Sequence, residues 1–325
     1  MFNKQNQNAL AIDLANDAVR VLDVKFRRDI PCISAFASQS VAPSTEKGGG
    51  LDTLPERQLA ALESLLATHR LKSRRCIVAM PTSLVVTRAV AIDSTKPQPA
   101  DEQVRWTLQN CLPFDPKDLI FDFWPVSEPQ PNARVREVLV VATQASVVQR
   151  YLSGFEKLNL TCSHLDVAPC ALASLVCKTA TTDGMIGTVA LGESSGYFAI
   201  VEGSKVLFWR PFELPNGQKA VAAAKAGLDR VGDEISKCVS HMVGTMQVNP
   251  MTELLVFGHG SADPVFTDYL KNRFHLNVSA PSPFDSLPEE SMNPNIKSAV
   301  QADVATHFAA AIGLAMQPAG VSING

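Results

Sequence analysis

Small polar residues between apolar segments form the first candidate binding site of the sequence. The stretch GTVALGESSGYFAIVEGSKVLFWR, residues 187–210, predicts a strand, a turn over Gly192–Gly196 and two further strands. Glycine lets a backbone approach a ligand closely, and Ser194 and Ser195 add hydroxyl donors. Backbone N–H groups in such a turn can face an anion, so we expect an anion-binding turn here; a tight turn without a ligand is the alternative.

A second unit of this kind lies near the N-terminus. Residues 9–24, ALAIDLANDAVRVLDV, predict a strand, a short polar turn and another strand. Asp13 near the end of the first strand aligns with Ala190 of the later unit. Two strand–turn–strand units about half a chain apart predict a duplicated fold.

Composition excludes several classes of function. The chain has 325 residues, enough for two domains, and its net charge of −3 argues against a nucleic-acid or anionic-membrane surface. Its seven cysteines include no Cys-x-x-Cys pair, and its six histidines are spread out, so a zinc or other metal centre is not expected. No segment approaches the ~18 apolar residues of a membrane span, and the N-terminus has no secretory signal. We therefore expect a cytoplasmic protein.

Apolar periodicity predicts an α/β protein in two related halves. The first half reads as three strands, a helix over Leu54–Leu71 and a strand over Arg75–Met80. Residues 84–163 predict an inserted α+β unit with its own sheet. The second half repeats three strands, followed by a helical stretch over Gln218–Met246, which is either one long helix or two helices broken near Arg230–Gly232. We divide the chain into 1–83 and 164–186 (first half and linker), 84–163 (insertion), 187–215 and 251–317 (second half), 216–250 (a reduced helical segment) and 318–325 (tail).

Several short segments follow one another in a characteristic order along the chain. These segments are AIDL at 11–14, VRVLD at 19–23, Glu102–Cys111 with Leu112, Pro113, Phe114 and Asp122, DV at 166–167 with ALA at 171–173, then Val206, Phe208, Arg210, Pro215 and Gly217, GHGS at 258–261 with Phe266, Tyr269, Leu270 and Val278, and AIGLA at 311–315. The order of the predicted elements is similar to that of the actin-like ATPase superfamily, and through these segments the chain more closely resembles the PilM family of type IV pilus assembly proteins. The resemblance spans nearly the whole chain and depends on the order and spacing of the segments.

This resemblance implies an actin-like, ribonuclease H-like duplicated fold, with two β-β-β-α-β-α halves and an inserted α+β subdomain. It also implies an adaptor of a type IV pilus or type II secretion-like assembly, peripheral to the inner membrane. Family members hold the cytoplasmic N-terminal tail of a membrane partner, PilN, in a groove beside the inserted subdomain. The predicted insertion at 84–163 matches that subdomain in position, and an extended peptide can pair with a sheet edge or fill apolar pockets there.

The resemblance also implies a cofactor, because family members bind ATP in the cleft between the halves. Asp13 would then face Mg²⁺, although an Asp at a strand end can also only cap a turn. The turn at 258–261 would cradle the adenosine, with a plain strand-to-helix turn as the alternative. The candidate cofactor contacts are Asp13, Asn16, Gly192, Ser194, Ser195, Gly258, Gly260 and Ser261.

Several residues depart from the family pattern at this site. The first turn, Ala15–Ala18, has neither glycine nor a hydroxyl, and Asp17 would repel a phosphate unless it points away or a metal intervenes. Ala190 stands where the family has the aspartate of the second turn, and His259 stands where it has a glycine. These changes predict a degenerate nucleotide site, in which ATP with Mg²⁺ is a doubtful ligand and no residue is assigned a catalytic role.

Two other functions remain as alternatives to the adaptor. An ATP-dependent sugar or carboxylate kinase of the same superfamily would need a catalytic Asp in the first half. A filament protein similar to FtsA would bind the membrane through an amphipathic terminal helix, but residues 317–325, QPAGVSING, are not amphipathic. Self-association is a further expectation, and Trp106 and Trp124 of the insertion are either core residues or partner contacts.

Overall fold

The computed structural model describes residues 8–27, 30–44, 50–112, 115–126, 134–214, 225–246, 251–292 and 294–317. The strands are β1 Ala9–Leu14, β2 Ala18–Arg27, β3 Ile30–Ser40, β4 Arg75–Met80, β5 Val86–Asp93, β6 Leu119–Pro125, β7 Val135–Gln144, β8 Thr161–Val167, β9 Met185–Leu191, β10 Ser195–Glu202, β11 Lys205–Glu213, β12 Glu253–Gly258 and β13 Asn277–Ser279. The helices are α1 Leu54–Thr68, α2 Ala100–Cys111, α3 Ala145–Lys157, α4 Ala168–Thr179, α5 Lys225–Met246, α6 Pro264–Phe274, α7 Pro294–Ala299, α8 Ala302–Ala305 and α9 Ala309–Met316.

Two five-stranded sheets with the same topology form the two halves of the molecule. The first has the order β3-β2-β1-β4-β8 and the second the order β11-β10-β9-β12-β13. In each sheet the first strand pairs antiparallel with the second strand and parallel with the fourth. Strands β1 and β12 are buried along their whole length, as their mainly apolar sequences predict for strands covered on both faces; Asp13 and Glu253 are the charged residue of each. The duplicated α/β architecture is therefore confirmed.

A smaller unit interrupts the first half between β4 and β8. Its three strands have the order β5-β7-β6, and α2 packs on one face of this sheet through Val104 and Leu108. These side chains join Val90, Ile92 and Val140 in a small core of their own. Helix α3 lies within the predicted insertion but buries Tyr151 and Phe155 in the main core, beside α1. The boundaries at 84 and 163 stay a prediction.

The main core is continuous through both halves because two helices cross between them. Helix α4 follows the last strand of the first sheet and packs against β10 and β11 of the second sheet, whereas α9 packs on β1, β2 and β4 of the first sheet. The two helices touch closely at Gly313, where a Cβ atom would lie 2.0 Å from the carbonyl oxygen of Ala171. Glycine is therefore required for this crossing.

The described part of helix α5 decides between the two predicted forms of this segment. Helix α5 runs without interruption from Lys225 to Met246, so the structure has the single helix and not two helices broken near Arg230–Gly232. Its buried residues Val231, Ile235 and Cys238 keep helical spacing through that region, which holds the helix against the second half. The predicted part at 218–224 lies outside the described residues, as do Pro113, Phe114, Pro215, Gly217 and the tail from 318.

Among the described residues, no helix combines the length and the hydropathy that a bilayer crossing requires.

Candidate functional site

A cleft of about 90 Å³ lies where the two halves meet. It is formed by the turn between β1 and β2, the turn between β9 and β10, and the last residues of β12. Because β1 and β9 occupy the same place in their sheets, the two related hairpins bring their turns to opposite sides of one opening.

The structure brings together five of the eight predicted site residues. The residues that line the cleft are Asp13, Asn16, Gly192, Ser195 and Gly258. Ser194, Gly260 and Ser261 do not line it; the Ser261 side chain is fully buried and donates its hydroxyl to the Gly258 carbonyl oxygen, 2.8 Å away. The phosphate-contact role proposed for these residues stays a prediction.

Asp13 pairs with Arg20 inside the cleft. The hairpin register places the two residues opposite each other on β1 and β2, with Arg20 Nη1 3.4 Å from Asp13 Oδ2. Each side chain is only 6% exposed. Burial raises the pKa of Asp13 to about 6, although the Arg20 guanidinium lowers it. The carboxylate predicted to face Mg²⁺ is thus already paired with a cation of the chain.

Asp17 shares the same guanidinium and also reaches the second half. Its Oδ2 atom lies 3.3 Å from Arg20 Nη2 and 3.5 Å from His259 Nε2. Burial favours the neutral acid, but the hydrogen bond from His259 and the charge of Arg20 outweigh it and hold the pKa of Asp17 well below its usual range. The sequence left open whether Asp17 points away or meets a metal; in the structure it meets Arg20 and His259.

Asn16 connects the first turn to the second half by hydrogen bonds. Its Nδ2 atom donates to the Ser195 hydroxyl, 3.1 Å away, and its Oδ1 atom accepts from the Ser83 hydroxyl at 2.7 Å. Behind the turn, the buried amide of Gln58 donates to the carbonyl oxygens of Leu14 and Ala15. The turn is therefore fixed on both sides by polar contacts within the protein.

Close packing explains two of the three glycines that line the cleft, Gly192 and Gly258, without a ligand. Gly258 has φ of +90°, and a Cβ atom there would lie 2.0 Å from the Leu191 carbonyl oxygen. A Cβ atom on Gly192 would lie 3.3 Å from Asp17 Oδ1. Gly258 lets β12 approach β9, and Gly192 leaves room for a carboxylate of the opposite half.

A histidine pair closes one side of the cleft. The rings of His259 and His307 lie 4.2 Å apart between centroids. Burial, together with the charge of Arg20, lowers the pKa of His307 to about 4, so this imidazole is neutral at pH 7. Sequence reasoning missed Arg20 and His307. Arg20 had a signal, because the hairpin that places Asp13 on β1 also places an arginine opposite it on β2.

In this arrangement the cleft does not fit a magnesium nucleotide. Pockets for small organic ligands have volumes of about 300–1,000 Å³, well above the 90 Å³ observed here. Asp13 and Asp17 are engaged by Arg20, and among the described residues no group of three His, Cys, Asp or Glu side chains is placed to hold a metal ion. The degenerate nucleotide site, with ATP and Mg²⁺ as doubtful ligands, stays a prediction.

Comparisons with known proteins agree with this architecture. The family model described as Type IV pilus assembly protein PilM matches residues 11–220. No curated protein matches the chain. Among solved structures, the chain is similar to a PilM-PilN type IV pilus biogenesis complex, at 20% identity, 96% coverage of this chain, 99% of that chain and a TM-score of 0.79.

The comparison with solved structures also returns two proteins at lower similarity. One is the cytoplasmic domain of EpsL, an inner-membrane component of the type II secretion system of Vibrio cholerae, at 10% identity, 77% and 82% coverage and a TM-score of 0.47. The other is a Bacteroides thetaiotaomicron protein with an actin-like ATPase fold and unknown function, at 11% identity, 88% and 96% coverage and a TM-score of 0.49. The expected duplicated fold is confirmed by the matching topology of the two sheets and by the similarity to the PilM-PilN complex.

Proposed function

Because the chain belongs to the PilM family of type IV pilus assembly proteins, we propose that it is a cytoplasmic adaptor of pilus assembly, held at the inner membrane by a PilN-like partner. The observation that carries this proposal is the family match over 11–220, which includes the first half, the inserted unit and the first strands of the second half. The similar solved structure is itself a PilM-PilN complex, which supports the choice of partner.

The inserted unit has an open surface suited to an extended peptide. Strand register places Ala89 of β5 and Trp124 of β6 on either side of Leu139 of β7, so all three side chains share one face. Leu139 is buried in the main core and Trp124 is packed against it, whereas Ala89 and Ala91 are exposed. This face of the sheet is therefore covered along β6 and open along β5.

Strand β5 offers two features that a peptide tail can use. Among the described residues it pairs only with β7, and Gln103 of α2 occupies the backbone groups of Asp93 at its end, so strand addition would use the edge before Asp93. The small side chains of Ala89 and Ala91 let a second backbone lie close to the sheet. We assign the tail of the PilN-like partner to the outer edge of β5 and the exposed face at Ala89 and Ala91, and we call this site the β5 groove.

Calorimetric titration with a peptide of the partner's cytoplasmic N-terminal tail tests this assignment. Ala89→Glu and Ala91→Glu each place a charged, longer side chain in the β5 groove, and we expect affinity to fall by about tenfold or more. Both positions are exposed, so the variants should fold as the wild type does. The control is Trp106→Ala, because this 70% exposed side chain lies on α2, at the opposite face of the sheet.

Two outcomes would contradict the proposal. If Trp106→Ala lost binding while Ala89→Glu and Ala91→Glu kept it, the tail would bind at α2 and not in the β5 groove. Failure of the wild type to bind the tail would remove the adaptor function itself. The kinase alternative gains no support from the cleft, because Asp13 and Asp17 both pair with Arg20 instead of being free to act as a base.

A further inference from the structure

The cleft contains a charged network that joins the two halves without any ligand. It consists of Asp13, Asp17 and Arg20 from the first half and His259 from the second, and we call it the Arg20 network. We propose that the Arg20 network takes the place of a nucleotide–metal complex in this chain and holds the two halves together across the cleft. This inference does not depend on the identity of the membrane partner.

Arg20 supplies the positive charge that a bound metal would otherwise bring. Two buried carboxylates lying close together need a cation, because an unpaired buried charge is costly. The guanidinium contacts both carboxylates, at 3.4 Å and 3.3 Å, and is itself only 6% exposed. Because Arg20 belongs to the same hairpin, it is always present, and a metal ion would have to displace it from both carboxylates.

Asp17 supplies the negative charge at the place where a phosphate would approach the second turn. Its Oδ1 atom would be 3.3 Å from a Cβ atom on Gly192, so the carboxylate lies directly against that glycine turn. Its Oδ2 atom faces His259, which comes from the turn after β12. A first-half carboxylate therefore meets the second-half groups that would otherwise face an anion.

The Ser195 hydroxyl of the second turn is also bonded to the first half. Ser195 accepts a hydrogen bond from Asn16 at 3.1 Å, which is a second contact between the halves within the cleft. The Asn16–Ser195 and Asp17–His259 contacts connect both second-half turns to the first hairpin. These contacts hold the turns together without MgATP, and they occupy the polar groups that MgATP would otherwise contact.

Hydrogen–deuterium exchange of the full chain tests this inference. For the wild type, we expect millimolar MgATP to leave the exchange of peptides covering 14–19 and 190–197 unchanged. Asp17→Asn and His259→Gln weaken the contact across the cleft, and we expect about tenfold faster exchange in both peptides, including the one opposite the substitution. Both substitutions are close in size to the original side chain, which preserves packing.

Glu193→Gln is the matched control. Its carboxylate lies 4.0 Å from His259 but is 52% exposed, so it belongs to the solvent side of the cleft, and exchange should stay as in the wild type. Slower exchange of both wild-type peptides with MgATP, together with a rise in melting temperature, would show that a nucleotide makes the connection and would overturn the proposal. Exchange that changes only on the substituted side would overturn it as well.

Discussion

Asp13 is a buried carboxylate whose ionisation opposes folding. Its pKa of about 6 lies above the ordinary 3.8 because burial outweighs the attraction of Arg20, and the nearby Asp17 carboxylate raises it further. The folded protein therefore binds this proton more tightly than the unfolded chain does. The stability that Asp13 contributes is complete below about pH 4 and is lost as the pH rises to about 6.

Asp13→Asn should remove the loss of stability that ionisation of Asp13 causes. The shift from 3.8 to about 6 corresponds to roughly 3 kcal/mol in the free energy of unfolding. Because asparagine does not titrate, the stability of the variant relative to the wild type should rise by about that amount between pH 4 and pH 7.5. Denaturant unfolding across this range measures the difference, and a constant difference would contradict the raised pKa.

Single residues of the cleft could be predicted only where a local pattern marks them. The small polar turns and the strand ends pointed to Asn16, Gly192, Ser195 and Gly258, all of which line the cleft. The same pattern suggested Ser261, whose hydroxyl turns inward to a carbonyl of its own turn. Sequence spacing does not reveal which way a side chain points, so the contact of Asp17 with His259, far apart in the chain, could not be predicted.

The elements themselves were more predictable than the contacts between them. Strands such as β4 and β12 follow from short apolar runs, because strands covered on both faces leave little room for polar residues. Helix α3 was predicted, but its packing on α1 was not, because its amphipathic pattern shows that a face is buried without showing against what. The sequence of a helix therefore shows which of its faces is buried, but only the folded chain shows which element covers that face.

Strand β6 connects the inserted unit to the second half through Trp124. The indole Nε1 atom donates to the Val206 carbonyl oxygen at 2.7 Å, and the ring stacks on Trp209 with centroids 6.4 Å apart. Trp124→Phe keeps an aromatic ring but leaves the carbonyl without this donor. We expect the free energy of unfolding to fall by about 1–2 kcal/mol, measured by guanidinium denaturation.

Trp106→Phe provides the comparison for this prediction. Its side chain is 70% exposed, so the change should stay within about 0.5 kcal/mol. Equal losses in the two variants would mean that the Trp124 contact does not hold the inserted unit to the second half.

At the scale of the molecule, the crossing helices α4 and α9 decide whether the halves behave as one body. Each helix packs on the sheet of the other half, so neither half can bury its core without them. This arrangement gives the cleft a rigid floor, since Ala168 of α4 and Ala309 and Ala310 of α9 line it. Nothing in the local sequence of α4 or α9 indicates that each helix packs on the sheet of the other half.

Gly313→Ala should therefore weaken both halves together. The added Cβ atom would lie 2.0 Å from the Ala171 carbonyl oxygen, and a backbone atom cannot move aside without separating the helices. We expect a loss of about 2 kcal/mol or more in a single calorimetric transition. Gly232→Ala on α5 is the comparison, because its Cβ atom would meet the Arg273 side chain at 2.8 Å and no backbone atom nearer than that. Arg273 can move at the cost of its hydrogen bonds to Asp233 and Tyr269, and the gain in helix propensity offsets part of that cost, so we expect a smaller loss than in Gly313→Ala. Two separate transitions in Gly313→Ala would instead mean that each half holds a core of its own.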